Sequence, residues 1–333
     1  MNRTGTLATI LMPLVGGGLL LSAGAMAQSG FLQGTETIVD SEIPVAFYMV
    51  ETIDGLYVPI GLRKPQGSGP FPIVVFASGN GGGGLDWVKR ASHDRSWTLD
   101  RFLEAGYATV WMRYRAEVEL GFNKDEHLVE DIRQGRQLFN RGPLEIDDEI
   151  AIIEFLKTLP FVDPSRVAHV GMSHGGEMAM KVTSQYHGLA AAVANEPASH
   201  EFLGLTPDST AFITATTGMW NIEDMQMRDA AATRERINLD LALERVSEIT
   251  TPILVHGRDD DHLQGIFRLT YDVLIEAGKE AEWASYGHGE HGFIYVEREE
   301  DGEYRPDEVQ IKVVQDTIAW LDRHLQAERV TRH

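Results

Sequence analysis

Glycines bracket a serine at Gly171-Met172-Ser173-His174-Gly175, the pattern G-x-S-x-G. That spacing suits nucleophilic attack on an acyl carbonyl. A serine on a sharp strand-to-helix turn holds its hydroxyl clear of the sheet, and small neighbours let the backbone turn that tightly. The helix that follows begins with unpaired N–H groups and a positive dipole end, which favour a developing oxyanion. The backbone N–H of His174 is the first donor in line. Roughly 0.14 chance matches to the pattern are expected in a chain of this length and composition, so context has to decide. The context is right: Val167 to Met172 reads as a strand and Gly175 to Gln185 as a helix.

The same alternation runs through most of the chain. Val45 to Val50 and Leu56 to Leu62 read as strands joined at Asp54-Gly55, a hairpin turn signal. Ile73 to Ala77 is a short buried-strand pattern running into Ser78-Gly79-Asn80 and four further glycines. A helix is expected from Trp97 to Glu104, a strand from Tyr107 to Tyr114 and an amphipathic helix from Ile146 to Leu159. Leu189 to Ala194, Ile253 to His256 and Ala281 to Tyr286 read as strands, with helices at Leu263 to Ala277 and Asp307 to Leu325. Strands separated by helices predict an α/β fold: a mostly parallel twisted sheet covered on both faces. Residues 199–249 are less regular and form a candidate lid before the penultimate strand. Their Phe202, Phe212, Met219, Trp220, Met225 and Met227 read first as ordinary buried contacts.

The run from Val162 to Gly176 resembles the approach to the nucleophile elbow in the α/β-hydrolase superfamily, in its dienelactone-hydrolase-like and prolyl-oligopeptidase-like branch. The resemblance spans about Val45 to Leu325. It implies the order Ser…Asp…His, with the acid after the next-to-last strand and the base after the last. Gly257-Arg258-Asp259-Asp260-Asp261-His262-Leu263 resembles the family's G-x-x-D-x-x-[VL], which implies Asp260 as the acid, flanked by Asp259 and Asp261. Gly287-His288-Gly289-Glu290-His291-Gly292-Phe293 ends in the family's His-Gly-Phe, which implies His291 as general base. His288 is the competitor, read first as a solvated loop histidine or a donor behind the base. The family also implies a second oxyanion donor from the loop after Ile73 to Ala77. Here the chain departs from the commoner H-G-G and places Asn80 at that position. Glu196, just after a strand end, reads as a buried cap or surface charge, with the pocket wall as its alternative.

Rival chemistries fare worse. Asp259, Asp260, Asp261, His262, His288 and His291 could supply metal ligands, but no H-E-x-x-H or similar helical spacing occurs. A binding protein that kept the fold and lost catalysis is disfavoured by the presence of every implied triad member. The 333-residue chain has no cysteine, which removes thiol nucleophiles, disulfide scaffolds and iron–sulfur sites. Its 50 acidic and 29 basic residues leave a formal charge of −21, which argues against a nucleic-acid partner. No cofactor and no metal are implied.

The first residues read as an address. Arg3 precedes an apolar run from Leu7 to Leu21, and Ala25-Met26-Ala27 has the spacing of a signal-peptidase site. Cleavage after Ala27 would leave residues 28–333 as one hydrolase domain, secreted or periplasmic, with no membrane span. The segment ahead of the first family strands is too short for the propeller of oligopeptidases. That tilts expectation to a small carboxylic ester as substrate, with a short peptide or amide as the alternative.

Overall fold

The sheet is built where β-branched and aromatic residues crowd together, and its two covers follow from side-chain alternation. In the computed structural model, which describes residues 29–79, 84–113, 143–205 and 226–325, strand β4 (Phe71–Ala77) shows the principle. Val74 and Phe76 join one buried cluster, while Ile73, Val75 and Ala77 join another on the opposite face. A strand buried on both sides must read as a continuous apolar run, as this one does.

Among the described residues, nine strands form one sheet in the order β1-β2-β3-β5-β4-β6-β7-β8-β9. β1 (Gly30–Glu36), β2 (Val45–Glu51) and β3 (Tyr57–Arg63) form an antiparallel edge that joins β5 (Ala108–Met112). From β5 onward every pairing is parallel, through β4, β6 (Val162–Met172), β7 (Ala191–Asn195), β8 (Ile253–Arg258) and β9 (Ala281–Tyr286). Gly55, at φ 79°, makes the β2–β3 turn that Asp54-Gly55 predicts.

Helices α1 (Gly84–Asp94), α2 (Ser96–Glu104) and α8 (Glu308–Leu325) supply Val88, Leu99, Phe102, Val313, Trp320 and Leu321 to one face. The other face is covered by α3 (Pro143–Lys157), α4 (His174–Gln185), α6 (Leu239–Ser247) and α7 (Gln264–Glu276). A short helix, α5 (Ala230–Arg234), precedes α6 and is capped by the Asp229 side chain on Ala232 N–H.

β1 and α1 escape the sequence pattern, and α5 and α6 lie in a stretch that it reads only as less regular. β1 is mostly exposed, so it lacks the alternation that marks a half-buried strand. α1 follows the glycine run directly, where the local composition signals only a loop. In the 199–249 stretch, Phe202 and Met227 lie in the core beside Val246 and Phe267 as buried contacts. Phe212, Met219, Trp220 and Met225 lie outside the described residues. No helix among the described residues is long and apolar enough to cross a membrane.

Candidate active site

Ligands in parallel α/β sheets bind beyond the carboxyl ends of the strands. Six such ends converge here: Ser78 after β4, Arg113 after β5, Ser173 after β6, Glu196 after β7, Asp259 to Asp261 after β8 and His288 to His291 after β9.

Ser173 sits at φ 57° and ψ −115°, a strained conformation for a residue with a side chain. The surrounding contacts enforce it. Its N–H donates to Asn195 O at 2.9 Å, and its carbonyl accepts from Ala198 N–H at 3.1 Å and Glu177 N–H at 3.0 Å. The glycines are required by space. A Cβ on Gly171 would stand 1.9 Å from Gly175 O, and one on Gly175 would stand 2.3 Å from Ala77 O. The Ser173 hydroxyl caps no helix N–H, so α4 does not consume it.

His174 opens α4, which places its backbone N–H at the positive end of that helix. Its ring is buried between carboxylates: Nε2 lies 2.9 Å from Glu145 Oε2, and Nδ1 lies 3.6 Å from Glu177 Oε2. Glu177 in turn meets Lys181 Nζ at 3.2 Å and accepts the N–H groups of Glu201 and Phe202 at 2.7 and 2.9 Å. Burial alone would raise the Glu177 carboxyl. Lys181, His174 and the Phe202 N–H outweigh it and hold the group far below the usual carboxylate range. This network pins the chain after β7 to the helix behind Ser173.

The loop after β4 approaches Ser173 closely, since a Cβ on Gly79 would lie 3.3 Å from Ser173 Cβ. The fully buried Arg113 holds that loop. Its Nη1 donates to Ser78 Oγ and, at 3.1 Å, to Gly79 O, while the guanidinium lies 3.9 Å from the centre of the Trp87 ring. Asn80, the expected second oxyanion donor, lies outside the described residues.

His291 faces a carboxylate other than the one expected. Its Nδ1 lies 3.1 Å from Glu196 Oε1. Glu196 is fully buried at φ 44°, and its Oε2 accepts the Gly292 N–H at 2.7 Å. Arg258 Nε donates to Glu196 Oε1 at 2.9 Å, Nη2 donates to Asp261 Oδ2, and Nη1 reaches Gly289 O at 3.1 Å. Asp260 is exposed at φ 63°, and among the described residues no hydrogen bond or ion pair joins its carboxylate to His291. Its carbonyl is engaged instead, by the Arg228 guanidinium. The turn directs Asp261 inward, where Oδ1 also accepts Leu263 N–H at 2.6 Å. Asp259 accepts from Ser285 Oγ, and His288 pairs with Asp307 at 3.0 Å while stacking on Phe293.

Glu196, Asp261 and His291 each bring a ligand-type atom within 4.8 Å of the others. The Arg258 guanidinium bonds both carboxylates, so a metal cation would have to displace a charge already in place. A cleft of about 760 Å³ is lined by Met172, His288, His291, Phe293, Tyr295 and Arg95, among others. Met172 also closes on the His291 loop, since a Cβ on Gly292 would stand 3.0 Å from Met172 Cε. The end of the Ser173 strand and the His291 loop are thereby in contact.

A profile of the prolyl oligopeptidase family matches residues 93–328. The chain belongs to the prolyl oligopeptidase family. Within 283 aligned residues it is 25% identical to the uncharacterized peptidase YuxL of Bacillus subtilis (strain 168), over 82% of this chain and 38% of that protein. The chain therefore spans well under half of that relative. Solved structures share the α/β-hydrolase fold. An esterase of Rhizomucor miehei superposes with TM-score 0.58 at 16% identity, covering 86% of this chain and 85% of its own. The acylaminoacyl peptidase of Pyrococcus horikoshii gives 0.56 at 19% identity, covering 89% and 50%.

Sequence reasoning gave Glu196 only as a cap, a surface charge or the pocket wall, and missed Arg258 and Arg113. One signal was available for the first: a carboxylate directly after a parallel strand, on the edge where the sheet gathers its chemistry.

Proposed function

We propose that this protein is an exported serine hydrolase that cleaves a carboxylic ester through an acyl-enzyme. Ser173 Oγ attacks the acyl carbonyl, and its proton passes to His291 Nε2, the ring nitrogen that does not face Glu196. The same imidazolium then protonates the departing alcohol. Water, deprotonated by His291, attacks the acyl-serine and releases the acid. The His174 N–H and a donor from the loop after β4, with Asn80 at the expected position, hold the oxyanion.

The observation that carries this reading is the strained conformation of Ser173, φ 57° and ψ −115°, at the tip of β6 beside the base loop. A family of peptidases supports an acyl-transfer serine. An esterase with this fold, that of Rhizomucor miehei, supports an ester. A short peptide or amide is the second reading, supported by the family and by YuxL.

A fluorophosphonate should label the wild-type protein and leave Ser173→Ala unlabelled, and Ser173→Ala should lose ester turnover while remaining folded. Turnover retained in Ser173→Ala sinks the mechanism. A panel of p-nitrophenyl esters of rising chain length, aryl esters, acetylated sugars and aminoacyl amides ranks the two substrate classes; a clear preference for amides reverses the order. Export rests on Arg3, the apolar run Leu7 to Leu21 and Ala25-Met26-Ala27. N-terminal sequencing of protein from the periplasm or medium should begin at Gln28.

A further inference from the structure

We infer that Glu196, at the carboxyl end of β7, is the carboxylate that positions His291 and balances its charge, in place of Asp260. The inference rests on the serine-hydrolase reading above and deepens it.

A general base in such a site needs three things from its acid partner. The acid must bond Nδ1, so that Nε2 is the nitrogen that takes the serine proton. It must be fixed, so that the ring cannot swing. It must carry a net negative charge to meet the imidazolium. Glu196 supplies the first at 3.1 Å. It supplies the second with both oxygens, because Oε1 meets the ring while Oε2 takes the backbone N–H of Gly292 at 2.7 Å. Ring and loop are gripped by one side chain. The grip needs Glu196 at φ 44°, a conformation that strains a non-glycine residue.

The third requirement follows from counting charges. Glu196 and Asp261 are two buried carboxylates, and Arg258 between them is one buried-side cation. The trio carries one net negative charge, the complement of one imidazolium. Asp261 cannot replace Glu196, because its oxygens are committed to Arg258 and to Leu263 N–H, with His262 Nδ1 at 3.2 Å. Its work is to hold Arg258. Through Nη1, Arg258 reaches the carbonyls of His288 and Gly289 at 3.3 and 3.1 Å and steadies the loop that carries the base. Asp260, exposed on the same turn, has none of these contacts.

The test compares Glu196→Gln with Asp260→Asn in the full chain. Glu196→Gln keeps the volume and the acceptor for Gly292 N–H but loses the charge. Its kcat should fall by ~10²–10⁴-fold with KM changed by less than about threefold, the size of loss seen when a triad acid becomes an amide. Asp260→Asn should lose less than about tenfold. Proton NMR adds a readout that a purely structural role would not move. A far-downfield imidazole Nδ1 proton, assigned by its loss in His291→Ala, should persist in Asp260→Asn and vanish in Glu196→Gln. Full activity and an intact resonance in Glu196→Gln overturn the inference. So does a loss of 10²-fold or more in Asp260→Asn, and that outcome counts even if Glu196→Gln fails to fold. Fluorophosphonate labelling of the wild type separates the two levels: an unlabelled wild type overturns the hydrolase reading itself, and the inference with it.

Discussion

Acid should destabilise this protein through two buried histidines, and the size of the effect can be worked out. His256, on β8, is fully buried, and its Nδ1 pairs with Asn195 Oδ1 at 2.6 Å. Burial pushes it down to about 3. His200, after β7, is 2% exposed, and its Nδ1 pairs with Ala198 O at 2.8 Å. Burial pushes it down to about 4, against the pull of Glu177. Both rings are therefore neutral in the folded state at pH 5, whereas in the unfolded chain, with an ordinary value near 6.5, they take up protons. A lowered histidine contributes stability that is present above the unfolded value and is lost as pH falls through the window towards the folded value. Each pH unit in that window costs ~1.4 kcal/mol per ring. Between pH 7 and pH 5 the two rings together should remove ~4 kcal/mol, a large share of the 5–15 kcal/mol typical of a folded domain. The lowered Glu177 adds loss of the same sign, but only below about 4.5. Glu201, raised by burial, works in the opposite sense just above its unfolded value. Urea denaturation of the wild type and His256→Gln, at pH 7, 6, 5.5 and 5, measures this. The variant keeps a donor for Asn195 and should show a slope shallower by about 1 kcal/mol per pH unit. Parallel slopes for the two proteins would refute the argument that His256 is neutral because it is buried.

Two further perturbations probe the scaffold of the site. Arg113→Lys keeps the charge but not the planar guanidinium that lies over the Trp87 ring while its Nη1 bonds Ser78 Oγ and Gly79 O, so turnover should drop by at least about tenfold through kcat while the fold survives. Unchanged kcat would remove Arg113 from any role in placing the loop after β4. Gly175→Ala places a methyl 2.3 Å from Ala77 O, which backbone cannot yield without breaking the β4–β6 contact. It should lower the melting temperature by several degrees and abolish phosphonate labelling; normal melting with normal labelling would mean that the elbow relaxes freely.

The sheet was legible because its strands advertise burial on two sides. Runs such as Ile73 to Ala77 and Ile253 to His256 have no solvent face, and helices of the right length separate them. β1 was not legible, because an exposed edge strand is held by backbone bonds to β2 and leaves no hydrophobic signature. α1 was hidden by the glycines before it; it is a helix because Val88 and Ala91 pack into the cluster around Trp111. Tertiary packing outweighs local propensity in both places.

Ser173 was readable from sequence alone because its requirements are local. Two flanking glycines, a strand before and a helix after all lie within a few residues, and steric contacts as short as 1.9 Å show why glycine must stand there. His291 was marked by its neighbours in the same way. The partner of His291 was not. Three consecutive aspartates share one turn, and which of them faces inward depends on a single φ of 63° and on where Arg258 lies. Glu196 stands 95 residues from the imidazole it meets, on a strand whose place beside β8 is set by the packing of the whole sheet. Sequence by itself determined the turn that carries Ser173, the loop that carries His291 and the class of fold, because each is written in short-range sterics and periodicity. Only the tertiary structure decided which carboxylate reaches His291, because that choice is made by burial and charge pairing between residues that the chain keeps far apart.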